Sequence, residues 1–114
     1  MSTMAVPAPF TLPKEVVDSL PWEPLAGCAG VINKTVYRAG DVVAGLVWMR
    51  PGAAETPHLH GHGQHHVWVL EGTIRIGETD LPAGSYLHVP EGLLHAVRDA
   101  GDGSLVFYVF TASR

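Results

Sequence analysis

The chain has 114 residues, 46% of them hydrophobic and 16% charged, with a formal net charge of −4. That length suits one domain, and that composition can fill a core, so a disordered chain is excluded. No run of Lys or Arg provides a nucleic-acid footprint or a membrane-surface patch, and no apolar stretch is long enough to span a bilayer as a helix.

A single cysteine, Cys28, excludes a disulfide framework within one chain and is read as a buried, inert thiol. The N-terminus lacks the basic start and apolar core of a signal peptide, so a cytoplasmic location is expected. Residues 1–27 carry Pro7, Pro9, Pro13, Pro21 and Pro24, which break long helices and interior strands. They are assigned to a Pro-rich N-terminal arm, with one or two helical turns over 14–20. Residues 28–114 are assigned to the folded β domain.

From Val31 the texture changes. Residues 31–37 are rich in β-branched side chains and form the first expected strand. Arg38-Ala39-Gly40-Asp41 is a turn. Residues 42–50 follow as a strand, with Leu46 and Trp48 on one face and Val47 and Met49 on the other. Further strands are expected over 65–70, 73–76, 79–81, 85–89, 95–98 and 105–110, punctuated by Gly and Pro turns. Eight short strands with almost no helical period indicate an all-β sandwich or barrel.

Five of the seven histidines fall in the stretch Pro57-His58-Leu59-His60-Gly61-His62-Gly63-Gln64-His65-His66. His58 and His60 stand two apart, so in extended backbone both imidazoles project to one side and can reach one ion. His65 shares a strand face with Val67 and Val69. If those two line the interior, His65 points inward and His66 outward. Gln64 sits at the turn, where parity is a poor guide, and is an alternative ligand if the turn is one residue tighter. His62, between two glycines, is read as a loop residue that can also shuttle protons. His88, in a strand with Tyr86, is read as a hydrogen-bonded structural residue. Asp99 is a candidate acceptor to orient the His95 imidazole.

Two spacings then coincide. Gly52, five residues, His58, one residue, His60, four residues, His65, six residues, Gly72 is the first. Gly84, five residues, Pro90, one residue, Gly92, two residues, His95 is the second. Together they resemble the two motifs of the cupin superfamily over about residues 40–110. The usual acidic ligand is replaced by His65, and Asp99 stands where Asn is frequent. The resemblance implies a cupin double-stranded β-helix, a jelly-roll-like barrel of two antiparallel sheets. It implies one divalent transition metal held by His58, His60, His65 and His95, with Fe(II) favoured and Zn, Ni, Mn or Cu as alternatives. Four neutral imidazoles leave the ion its full charge, which favours an anionic form such as an enolate.

The sequence also looks like the cupin domains of ChrR-type anti-sigma factors and of small ketone-cleaving dioxygenases. It carries no separate anti-sigma zinc module, so a ChrR-like regulator is not the leading expectation. The expected function is a metal-dependent oxygenase acting on a small enolisable carbonyl or phenolic compound. The alternatives are a Lewis-acid isomerase, cyclase or lyase, and a non-catalytic metal- or ligand-binding sensor. A homodimer is expected through outward Trp68 and Leu70, with Phe107 or Phe110 and the arm.

Overall fold

The computed structural model describes residues 8–55, 63–93 and 95–111. His58, His60 and His62 therefore lie outside the described residues. One short helix, α1 (Lys14–Ser19), precedes nine strands: β1 (Glu23–Pro24), β2 (Val31–Ala39), β3 (Val42–Met49), β4 (Gln64–Glu71), β5 (Thr73–Ile76), β6 (Thr79–Pro82), β7 (Tyr86–Val89), β8 (Val97–Asp99) and β9 (Ser104–Thr111). They form a six-stranded sheet in the order β1-β2-β3-β9-β4-β7 and a three-stranded sheet in the order β6-β5-β8. Every pairing is antiparallel. No helix among the described residues is long and apolar enough to cross a membrane.

The core is built by strand alternation. Val31, Met49, Val67, Val69 and Val106 from the larger sheet meet Ile74 and Val97 from the smaller one. β-Branched side chains dominate because they lose little rotamer freedom on a pleated surface. Val67 and Val69 are buried while Trp68 and Leu70 between and beyond them are exposed, so β4 has one dry face and one wet face.

Strand bounds differ from expectation where backbone pairing extends beyond the side-chain pattern. The expected four-residue turn at 38–41 shortens to Gly40-Asp41, because Arg38 and Ala39 still pair with Val43 and Val42. Gly40, at φ 55°, supplies the left-handed conformation that this two-residue connection needs. The added length is absorbed by a register shift between Thr35 and Tyr37. The strand expected over 95–98 runs instead over Val97–Asp99, leaving His95 ahead of β8.

The segment before β2 is fastened at several points. Glu23 and Pro24 pair with Asn33 and Ile32 at the edge of the larger sheet, a position where proline's missing N–H costs no ladder bond. Lys34 is buried, yet its Nζ donates to the Val17 carbonyl at 2.8 Å and stands 4.5 Å from the centre of the Trp22 ring. The cation thus exchanges water for a carbonyl and an aromatic face.

Asp99 does not orient His95. Its carboxylate, 2% exposed, accepts the backbone N–H groups of Gly52 (2.9 Å), Gly101 (3.2 Å) and Gly103 (3.2 Å) and the Ser104 hydroxyl. Burial alone pushes this carboxyl up. The bonds from Ser104, Gly52, Gly103 and Gly101 outweigh that and hold it below the usual carboxylate range. A carboxyl whose pKa is depressed in the folded state stabilises above its unfolded pKa. That contribution is lost as the pH falls through the folded value. Asp99→Asn should therefore cost about 2–4 kcal/mol at neutral pH, since four donors lose a charged acceptor. Chemical denaturation should also show a smaller loss of stability on acidification below the ordinary value of 3.8 than in the parent protein. Equal neutral-pH stability in the two proteins would contradict this account.

Candidate metal centre and cavity

Strand parity places His65 on the inner face of β4, in line with Val67 and Val69, as its position in the sequence requires. His95 arrives from the other side, on the turn Pro90-Glu91-Gly92, where the Leu93 N–H bonds back to the Pro90 carbonyl at 3.3 Å. The two rings come to 6.1 Å between centroids, tilted by 56°. His95 is 6% exposed, and its Nδ1 lies 3.0 Å from the Leu93 carbonyl. A carbonyl only accepts, so Nδ1 carries the proton and Nε2, itself buried, keeps its lone pair. This is the tautomer a metal-ligating imidazole needs when its other nitrogen is anchored. The Nδ1 of His65 is likewise buried, and its ring is met edge-on by Tyr108 at 5.7 Å and Phe110 at 6.0 Å.

Both histidines line an inner pocket of about 30 Å³, with Val67, Ile74, Val89 and Val97 among its walls. That is room for a water- or ion-sized occupant in an apolar setting. A wider cavity of about 430 Å³ adjoins it and shares His65, Tyr108, Val47 and Glu55 with the inner pocket. Two imidazoles at a small buried pocket, one with its tautomer fixed, fit the donor chemistry of a divalent transition metal. Among the described residues no group of three or more His, Cys, Asp or Glu side chains is placed to hold an ion. The expected partners His58 and His60 fall in the 56–62 segment, outside the description.

The other polar candidates are placed as follows. Gln64 turns outward, and its Oε1 accepts from His88 Nε2 at 2.6 Å. His66 pairs with His88 across β4 and β7 and stacks on it at 5.0 Å, while its Nδ1 lies 2.5 Å from the Tyr86 hydroxyl. Trp68 extends this outer face, 5.1 Å from the Tyr86 ring and 5.9 Å from Phe107. Phe110 belongs to the inner side, beside His65, because it alternates with Val109 along β9. Trp48 lines neither space.

Glu55 is a residue the motifs did not single out. It lines both the inner pocket and the cavity. Its backbone N–H bonds to the Val97 carbonyl at 2.9 Å, and the Asp99 N–H bonds to the Ala53 carbonyl at 2.8 Å, so 53–55 is strapped along β8. The only sequence signal was a carboxylate three residues ahead of His58, in a segment without periodicity.

The family model described as the ChrR cupin-like domain matches residues 15–113. No curated protein matches. Among solved structures, KdgF from Halomonas sp. is 24% identical, with a TM-score of 0.76 over 85% of this chain and 90% of that one. The polyketide cyclase RemF from Streptomyces resistomycificus is 16% identical, with a TM-score of 0.78 over 91% and 82%. The Rhodobacter sphaeroides complex of SigE with the anti-sigma ChrR gives 24% identity and a TM-score of 0.69 over 87% and 56%. At these identities the structural likeness establishes the fold.

The geometry at His95 has a direct spectroscopic consequence. In metal-free protein, long-range 15N–1H correlation should show His95 as the Nδ1–H tautomer. A dominant Nε2–H form would remove the argument that this imidazole is set to ligate.

Proposed function

The chain belongs to the ChrR cupin-like domain family, and from that premise we propose that it is a metal-dependent cupin enzyme acting on a small enolisable carbonyl or phenolic compound. The observation that carries this reading is the approach of His65 and His95, 6.1 Å between ring centres, where a narrow pocket joins a substrate-sized cavity. The proposed ligand set is His58, His60, His65 and His95, with Fe(II) as the favoured ion and an oxygenase as the favoured reaction. When bound, such an ion polarises a substrate oxygen as a Lewis acid and, as iron, engages O2.

The chain's own residues do the rest. The Leu93 carbonyl holds the His95 proton on Nδ1 and keeps Nε2 available. Tyr108 and Phe110 fix the His65 ring by edge contacts. Val47, Val67 and Val97 exclude water from the inner pocket, which strengthens every electrostatic interaction there. Glu55 lines both spaces and is the carboxylate placed to accept the proton that an enol or phenol gives up.

Two further readings have specific support. Lewis-acid cyclase, isomerase or lyase chemistry gains from the similarity to the cyclase RemF. A non-catalytic sensor gains from the family match and from the anti-sigma ChrR; a closed tetrahedral zinc without water would favour it. We further propose a homodimer through the outer face, where Trp68 is 40% and Leu70 48% exposed.

Elemental analysis of tag-free protein should find about one transition-metal ion per chain, and iron-loaded protein should take up oxygen with diketones or hydroxyaryl ketones. His65→Ala and His95→Ala should each weaken metal binding beyond the roughly 10–100-fold that loss of an outer hydrogen-bond partner costs. No bound metal after anaerobic reconstitution would sink the centre; zinc without oxygen uptake after iron loading would move the assignment to the other readings. Light scattering should return a dimer at micromolar concentration and a monomer for Trp68→Glu, and a monomeric parent would refute the interface.

A further inference from the structure

Gly45 interrupts the apolar run of β3, between Ala44 and Leu46. A glycine inside a strand weakens it and marks a place where another group comes close. Gly45 is not one of the glycines with positive φ, so the reason for it is space. A Cβ there would meet the Lys34 carbonyl, and it would stand 2.9 Å from the Tyr108 hydroxyl and 3.0 Å from Cε1 of the same ring. Gly45 and Tyr108 are direct partners in the ladder between β3 and β9. The phenol therefore leans across the bare backbone of its neighbour.

That lean sets the hydroxyl on the floor of the wider cavity. Val43 and Val47 both line this cavity, and Gly45 lies between them on the same face of β3. Tyr108 also lines the inner pocket, and its ring stands 5.7 Å from that of His65, so it marks the place where the two spaces join. Among the described residues the Tyr108 hydroxyl makes no hydrogen bond. Asn33 marks the outer end, since it also lines a surface groove with Leu20 and Pro21, and its Nδ2 is engaged by the Glu23 carbonyl at 3.3 Å.

A hydroxyl carries one donor and two acceptor sites. Between apolar walls an unused donor costs more than it does in water, so a ligand oxygen that accepts from it gains over a hydrocarbon of the same shape. Leu25, Val43, Val47 and Phe110 offer cover for an apolar body.

We propose that the Tyr108 hydroxyl is the polar anchor of this cavity. It donates to the carbonyl or phenolate oxygen of a ligand about the size of one substituted aromatic ring. That bond turns the oxygen end toward His65 and the apolar body toward Leu25 and Val43, which line the wider cavity alone. The oxygen keeps a second lone pair, so the bond is compatible with an ion at His65. The proposal rests on the small-molecule reading above for the identity of the site, and on no particular metal or reaction.

The test is calorimetric titration of the full chain, as purified and again after chelator treatment, with two probes of one skeleton. 4-Methylacetophenone carries a carbonyl, and 4-ethyltoluene has a methylene in its place. Tyr108→Phe keeps the ring beside His65 and removes only the hydroxyl. It should weaken the ketone about threefold to tenfold in both preparations and leave the hydrocarbon within about twofold. Leu25→Trp, which fills the cavity, should weaken both probes at least about tenfold. In the chelator-treated parent protein, the carbonyl 13C resonance of labelled ketone should move to higher frequency on binding, as an accepted hydrogen bond requires. This readout does not depend on the folding of any variant.

Equal weakening of both probes in Tyr108→Phe, a ketone indifferent to that change, unchanged binding in Leu25→Trp, no carbonyl shift, or failure of either probe to bind would overturn the proposal. A loss confined to the ketone, without oxygen uptake by iron-loaded protein, would leave it standing while the oxygenase reading falls. Oxygen uptake with a ketone indifferent to Tyr108→Phe would remove this proposal alone.

Discussion

The architecture depends on one buried negative charge. Asp99 closes β8, and through its side chain it gathers Gly52 from the end of β3, Gly101 and Gly103 from the last turn, and Ser104 at the start of β9. A carboxylate this dry is tolerable only because each donor compensates part of its lost hydration. The same cluster fixes where 53–55 runs, since that segment then bonds along β8 through Ala53 and Glu55. The chain enters the histidine-rich segment from a held starting point. Gly72 reinforces the arrangement: at φ 78° it passes so close to the Gly103 carbonyl that a Cβ would collide with it. Two turns are thereby packed backbone to backbone at the end of the barrel.

Within that frame, the pleat of β4 divides labour between neighbouring residues. His65 joins Val67 and Val69 inside, and His66 joins Trp68 outside. The inner imidazole is held by edge contacts with Tyr108 and Phe110. The outer one stacks on His88 and reaches the Tyr86 hydroxyl. A slip of one residue in register would exchange the two environments and put Trp68 into the core. The eight residue pairs that join β9 to β3 and the seven that join it to β4 make that slip costly, because both ladders would have to move. Position in the sheet, more than imidazole chemistry, separates the candidate metal centre from the aromatic outer face.

Most of this barrel was legible in the sequence. Alternation in 42–49 and 65–70, with Gly and Pro between strands, is a local signal, and the coupled spacings of Gly52 to Gly72 and Gly84 to His95 carry the family. What local pattern cannot carry is long-range hydrogen bonding. β1 has two residues and a proline and is a strand only because β2 offers it an edge. Nearness in sequence pairs Asp99 with His95, whereas donors from positions 52 and 104 capture it. Glu55 stands in a stretch without period, and its place at the cavity follows from backbone bonds to β8. Local pattern offers Phe107 or Phe110 for the outer face, and the register of β9, which sets Phe110 opposite His65 and Phe107 opposite Trp68, puts Phe110 inside.

The three tryptophans occupy three unlike settings. Trp22 lies beneath the Lys34 ammonium, Trp48 is pressed against the backbone of Gly103, and Trp68 stands among Tyr86 and Phe107 on the open face. Indole emission responds to nearby charge, to packing and to water, so each ring is a distinct native optical probe. Single-tryptophan variants would let the fastening of the N-terminal segment, the turn at the barrel's end and the outer sheet face be followed separately in one unlabelled molecule.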